Sequence, residues 1–131
     1  MYDNPLSAAY NYPEMDFGAT SGVTTHRIAG PAGMQGQIRG IGVATTEAFA
    51  TSTALANVMI GIIGDTDKYA KLQIANTTAV NTNFTDANDT DAVIIRTIPK
   101  DTHLLVTLTE GTDGSSVTGK GYPTIYIDWF K

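Results

Sequence analysis

Apolar and polar residues alternate in two segments near the end of the chain. Segment 104–109 reads Leu-Leu-Val-Thr-Leu-Thr, and segment 122–130 places Ile125, Ile127 and Trp129 at every second position. Successive side chains of a strand point to opposite faces, so this spacing predicts two half-buried β-strands. The other face of 122–130 also carries aromatic residues. This predicts a central strand, or a strand whose second face meets another subunit.

Shorter apolar runs bounded by turn residues predict further strands, at 23–28, 37–45, 58–63, 72–75 and 93–99. Gly40 and Gly42 indicate a bulge or a close backbone approach in the second of these. Segment 46–57 has apolar residues at helical spacing, but Thr51, Ser52 and Thr53 favour a loop that leads into a strand. We expect one helical turn at 67–72, and the polar composition of 76–91 predicts a long exposed connection. Seven or eight strands with this spacing predict an all-β antiparallel sandwich, jelly-roll-like in connection.

A length of 131 residues is typical of one domain. Residues 1–16 contain Pro5 and Pro13, which cannot donate to a β-ladder, and three tyrosines. We expect an extended N-terminal arm at 1–16, which either frays or orders against a neighbouring subunit, and a single β-sandwich domain at 17–131.

The amino-acid composition and net charge exclude several classes of function. Twenty residues are Thr, and there is no Cys, which excludes disulfides, thiolate catalysis and Cys-ligated zinc. The net charge of −5 gains nothing from a phosphate backbone, so we expect no nucleic-acid binding. We expect no membrane association, because no apolar run reaches about 18 residues and the first residues lack the features of a secretory signal.

Two acidic clusters could bind a cation. Asp65 and Asp67 are two residues apart, and a second group comprises Asp86, Asp89 and Asp91. Calcium prefers such oxygen ligands, but the remaining ligands of an EF-hand loop are missing. Turn chemistry and solvation explain the same residues, so no metal ligand is assigned.

Catalytic and phosphate-binding motifs are equally incomplete. His26 and His103 could meet in the fold, with Asp101 near the latter, and Ser21 or Ser115 could complete a triad, but no Gly-x-Ser-x-Gly pattern is present. The glycines of 40–42 and 119–121 lack the spacing of nucleotide-binding loops and are interpreted as turn or bulge residues. We therefore assign no catalytic residue and no cofactor, and expect the protein not to be an enzyme.

Aromatic residues of the last predicted strand have three interpretations. Tyr122, Tyr126, Trp129 and Phe130 could pack in the core, form a sugar-binding platform or anchor a subunit contact. The two-faced pattern favours a contact role for Tyr126 and Phe130.

Four motifs resemble small structural proteins of tailed-bacteriophage virions. They are Phe17-Gly-Ala-Thr-Ser-Gly-Val-Thr-Thr-His-Arg-Ile28, Gly30-Pro-Ala-Gly33, Gly64-Asp-Thr-Asp-Lys-Tyr69 and Thr124-Ile-Tyr-Ile-Asp-Trp-Phe130. The resemblance runs over most of the chain from about Phe17. It implies a head decoration (cement) protein, made in the host cytoplasm, that binds the outer surface of the capsid and stabilises it. The family offers no catalytic residues.

The implied partners are the major capsid protein and further copies of the chain, as a trimer or else a dimer. The alternative is a tail, neck or fibre module with a glycan- or receptor-binding role. The residues expected to contact a subunit or the capsid come from the arm, from the start of the sandwich domain at residue 17, from the glycine-rich loop at 30–36 and from the last strand. They are Tyr2, Tyr10, Tyr12, Phe17, Pro31, Met34, Tyr126 and Phe130.

Overall fold

The computed structural model describes residues 6–18, 22–112 and 116–131. These residues form ten β-strands and no helix. In chain order the strands are β1 (Leu6–Asn11), β2 (Met15–Asp16), β3 (Val23–Ala29), β4 (Gln35–Ala50), β5 (Asn57–Ile62), β6 (Asp65–Gln73), β7 (Asn83–Thr85), β8 (Thr97–Ile98), β9 (His103–Thr109) and β10 (Thr118–Phe130).

The strands form two antiparallel sheets, which confirms the predicted β-sandwich. The first, sheet A, has the order β1-β10-β4-β7, with β2 also paired to β10 and β8 also paired to β4. The second, sheet B, has the order β3-β9-β5-β6. The jelly-roll connection stays a prediction.

The core lies between the two sheets and follows the alternation in the sequence. Ile125, Ile127 and Trp129 of β10 are at most 2% exposed, as are the apolar residues at 104, 106 and 108 of β9. Burying one such aliphatic side chain contributes about 1.5–3 kcal/mol. The prediction that 122–130 forms a central strand is confirmed, because β10 pairs with β1 on one side and β4 on the other.

Irregularities in the β4–β10 ladder occur at the glycines that the sequence singled out. Gly40 pairs with Tyr126 and Ile38 with Ile127, so Arg39 is an extra residue on β4. A second irregularity lies around Gly119, whose φ of 145° suits glycine. A Cβ there would stand 2.5 Å from the Phe49 ring. The first of the two expected irregularities, a bulge, is therefore found next to Gly40 at Arg39, while Gly42 pairs regularly with Thr124.

Several local predictions are wrong. Residues 46–50 continue β4 instead of starting a loop, because this stretch pairs with the beginning of β10. Residues 67–72 are not a helical turn but part of β6, which pairs continuously with β5 over 70–73. Within 93–99 only Thr97–Ile98 forms a strand, since the preceding residues bond to the edge of β6.

Most of the described part of the expected arm, residues 6–11 and 15–16, lies in strands of sheet A instead of extending from it. All six residues of β1 pair with β10, from Leu6 opposite Trp129 to Asn11 opposite Thr124. Pro13 follows this strand, so it does not interrupt the ladder. Residues 1–5 lie outside the described residues.

The connection between β6 and β9 covers one lateral side of the sandwich. Its first half bonds along β4, through Phe49 N–H to Thr78 O at 2.9 Å and Thr45 N–H to Thr82 O at 2.8 Å. Its second half bonds along β6, through Lys71 N–H to Ala92 O at 2.7 Å. We call this the closed side. The predicted exposed connection at 76–91 is thus partly a cover, and it buries Thr78 and Phe84.

Candidate interaction surfaces

Two carboxylates of the second acidic cluster accept hydrogen bonds from the backbone of neighbouring strands. Asp86 Oδ1 accepts from Ile41 N–H at 3.4 Å, and Asp89 Oδ2 accepts from Gln73 N–H at 3.0 Å. Asp65 begins β6 directly after the turn at Gly64. Within the described ranges, no three His, Asp or Glu side chains are grouped to hold a metal ion.

The two histidines lie on neighbouring strands but pair with different residues. His26 of β3 stands opposite Val106, and His103 of β9 stands opposite Ala29. His103 is exposed, and Asp101 Oδ1 accepts from Gly33 N–H at 2.8 Å. Ser21 and Ser115 lie outside the described residues. No helix in the described part of the chain has the length and apolar character needed to cross a membrane.

The lateral side opposite the closed side exposes the edge of β1. Tyr12 N–H donates to Pro123 O at 3.1 Å, so alternate residues counted back from Tyr12 hydrogen-bond to β10. Bonded and outward-facing residues alternate along such a strand. Ser7, Ala9 and Asn11 therefore direct their backbone N–H and C=O groups away from β10. Leu6, at the start of this edge, is 55% exposed.

The edge of β3 lies on the same side. Glu110 N–H donates to Gly22 O at 3.1 Å, so Thr24 and His26 bond to β9 while Val23, Thr25 and Arg27 present backbone groups outward. Val23 is 61% exposed. No backbone bond from another described segment reaches either edge. We call the edges of Leu6–Asn11 and Val23–Ala29 together the open side.

A ring stack bridges the two sheets at the open side. Tyr12, which follows β1, stacks on His26 of β3 with ring centroids 4.3 Å apart. The Tyr12 hydroxyl is buried and has no hydrogen-bond partner among the described residues. Burial raises the pKa of Tyr12 to about 12, and the neighbouring Tyr10 adds to this effect. A shallow depression of about 330 Å³ lies beside the stack, between β2 and β3.

The residues predicted to make contacts are dispersed. Phe17 is fully buried against Phe49, so its side chain is not available at the surface of the chain. Met34 packs partly against the core. Tyr10 does so as well, and its hydroxyl accepts from Trp129 Nε1 at 2.9 Å. Pro31 and Phe130 are half-buried. Tyr2 lies outside the described residues, which leaves Tyr126 as the most exposed member of the set, at 50%.

The outer face of sheet A is built on alternate residues of β10. We call it the tyrosine face, and it comprises Tyr122, Thr124, Tyr126, Asp128 and Phe130. Across from Tyr126 stand only Ala9 on β1 and Gly40 on β4. The two tyrosines are about half exposed, whereas Thr124, Asp128 and Phe130 are half-buried.

Sequence reasoning missed the two strand edges and the ion pair of the tyrosine face. The run Leu6–Asn11 is free of charge and of proline, which is a strand signal, but the flanking prolines concealed it. Arg39 gave a weaker signal, as a cation beside a strand glycine. Ile38 faces the core, so Arg39 lies on the outer face next to the ladder irregularity, and its Nε lies 3.3 Å from Asp128.

No protein-family model matches the chain, and no curated protein matches it. Among solved structures the chain is similar to one from the acidic stable capsid of Helicobacter pylori bacteriophage KHP30. The identity is 10%, the TM-score is 0.31, and the match covers 91% of this chain and 94% of that chain. A superposition at this level carries no argument about what the chain does.

Proposed function

We propose that the chain is a structural protein of a tailed-phage virion, and specifically a decoration protein that binds the outside of the head. The observation that carries the proposal is the open side, where two strand edges that no described segment pairs with lie together. An unpaired edge is a template for pairing with another chain. The sequence motifs that resemble virion proteins supply the class of partner.

The mechanism is adhesive. Backbone groups at Ala9 and Thr25 bond to a capsid subunit or to another copy, and exposed Leu6 and Val23 lose apolar surface to water. Each contact is small, but many copies act on one shell, so their effects combine by multivalency. The acidic chain gains no attraction to packaged DNA, which favours the exterior.

The test is co-sedimentation of the purified protein with heads that lack it. The unaltered chain should sediment with the heads, and a Leu6→Asp, Val23→Asp double variant should remain in the supernatant. Both sites are exposed, so the folded state should lose little stability.

Ile63→Asp is the matched control, because Ile63 is 75% exposed at the β5–β6 turn, away from the open side. It should sediment as the unaltered chain does. Absence of sedimentation by the unaltered chain would refute the decoration role, and equal loss in all variants would refute the assignment to the open side.

A further inference from the structure

We infer that the tyrosine face binds a neutral oligosaccharide, with the Tyr126 ring as its stacking surface. The first ground is the isolation of this ring. Its cross-strand neighbours are Ala9 and Gly40, neither of which is large enough to cover it. A Cβ built on Gly40 would stand 3.6 Å from Tyr126 Cδ2, so the ring leans over the glycine and not over a side chain.

The second ground is the pair of depressions that Tyr126 separates. One, of about 340 Å³, is lined by residues of β1 together with Arg39 and Asp128. The other, of about 310 Å³, is lined by Gly40 and Gly42 and by the polar residues Asn83, Thr85, Asp86 and Thr124. Both depressions are lined mainly by apolar surface, with a few polar groups among it. An aromatic ring between two such shallow basins can receive the apolar face of a flat ligand that has hydroxyl groups around its rim.

A hydrogen bond and an ion pair fix the side chains that line the first basin. Asp128 accepts from Ser7 Oγ at 2.8 Å and faces Arg39 Nε at 3.3 Å. The Asp128 side chain is 18% exposed while that of Arg39 is 57% exposed, so the carboxylate is fixed and the guanidinium extends into water. Arginine has five N–H donors in a rigid plane, which makes it a directional partner for hydroxyl oxygens.

The second basin offers acceptors and donors of the same kind. Thr124 Oγ1 donates to Asn11 Oδ1 at 3.2 Å, so the hydroxyl between the two tyrosines has a fixed orientation. Asp86 is half-buried, and Asn83 is exposed at the start of β7. Sugar hydroxyls both donate and accept, so they pair with carboxylate, amide and hydroxyl groups in one basin.

The charges around the Tyr126 ring and the spacing of the two tyrosines indicate the class of ligand. Asp86 and Asp128 flank the ring on either side, Arg39 balances only one of these two charges, and the chain carries a net charge of −5, which disfavours phosphates and acidic sugars. Thr124 and Asp128 interrupt the aromatic surface, which a protein partner would need as a continuous apolar patch. Tyr122, 47% exposed and four residues along β10, lies roughly 13 Å away and offers a second ring to a chain of sugars.

The experiment is saturation-transfer NMR on the purified full chain with maltotriose, cellotriose and triacetylchitotriose, each at millimolar concentration. At least one should receive saturation and shift the Tyr126 ring resonances. Tyr126→Phe should keep the binding, and Tyr126→Ala should weaken it about tenfold or more. Ile63→Ala, which removes an exposed apolar group elsewhere, should change nothing.

Three outcomes would overturn the inference: no transfer to any of the three sugars, transfer that survives Tyr126→Ala, or stronger transfer to the acidic sialyllactose. Head co-sedimentation of Tyr126→Ala separates this site from the proposed decoration role. The variant should still sediment. If it fails to sediment and the unaltered chain binds no sugar, the face belongs to the capsid contact.

Discussion

The closed side and the open side of this sandwich leave their strand edges in different states. On the closed side, a polar connection bonds to β4 with its first half and to β6 with its second half. On the open side, β1 and β3 direct backbone groups outward, and no described segment bonds to them. Because an unpaired edge invites another strand, the difference indicates which side is available to a partner.

The largest expected effect removes the anchor of the closed side. Phe84 of β7 is 7% exposed and pairs with Val43 on β4. Phe84→Ala should lower the free energy of unfolding by about 3–5 kcal/mol through lost burial and a cavity. Urea denaturation measures this loss.

Val80→Ala is the control, because Val80 is 49% exposed on the same connection. Its free energy of unfolding should stay within about 0.5 kcal/mol of that of the unaltered chain. A loss below about 1 kcal/mol for Phe84→Ala would mean that the cover is not anchored there.

Two proline substitutions on β3 compare a residue whose backbone bonds to β9 with a residue whose backbone faces outward. Thr24 bonds to Leu108 of β9, so Thr24→Pro should cost about 1–3 kcal/mol by leaving a buried carbonyl unpaired. Thr25 directs its N–H outward, so Thr25→Pro should cost less and should block pairing with another chain.

The readouts for this pair are urea denaturation and head co-sedimentation. Thr25→Pro should unfold at nearly the same urea concentration as the unaltered chain and yet fail to sediment with heads. If it sediments normally, the β3 edge is not the contact. If Thr24→Pro proves the milder change, the inferred assignment of inward and outward backbone groups on β3 is wrong.

The sequence predicts some segments of the closed and open sides better than others. The strands with strict alternation, β9 and β10, were predicted with their buried faces, because burial on one face imposes a period of two. The closing connection was not predicted as a cover. Its Asn, Thr and Asp residues are typical of exposed loops, and their role depends on tertiary backbone bonds such as Lys71 N–H to Ala92 O.

The candidate surfaces were predictable only in part. Tyr126 was singled out because its strand carries aromatics on both faces, and it is exposed as that pattern requires. Phe17 was expected at the surface but is buried, since residue type alone does not distinguish a core aromatic from an anchor. The open side depends on which strands end up at the edges, and that order is not encoded by any local pattern.

A smaller effect should partly open the closed side. Asp89 Oδ2 accepts from Gln73 N–H on the edge of β6. Asp89→Ala should cost about 1 kcal/mol and expose that amide to hydrogen exchange. Asp91→Ala is the matched control, because no hydrogen bond of Asp91 is found in the described part of the chain. Unchanged exchange at Gln73 in Asp89→Ala would show that the carboxylate does not cap the edge.

The smallest effect concerns the ring stack that spans the open side, and it appears only at high pH. Because burial raises the pKa of Tyr12 from 10.0 to about 12, the folded state keeps a phenolic proton that the unfolded chain releases between these values. The free energy of unfolding should therefore fall as pH rises through this window, and Tyr12 should contribute no pH dependence below it. Tyr12→Phe removes a hydroxyl that has no hydrogen-bond partner among the described residues, so it should be nearly neutral at pH 7 and show a weaker decline above pH 10. Urea denaturation in steps of pH compares the two proteins, with Tyr122→Phe as the exposed control. Equal declines in Tyr12→Phe and the unaltered chain would mean that the phenol is not buried where the stack bridges the two sheets.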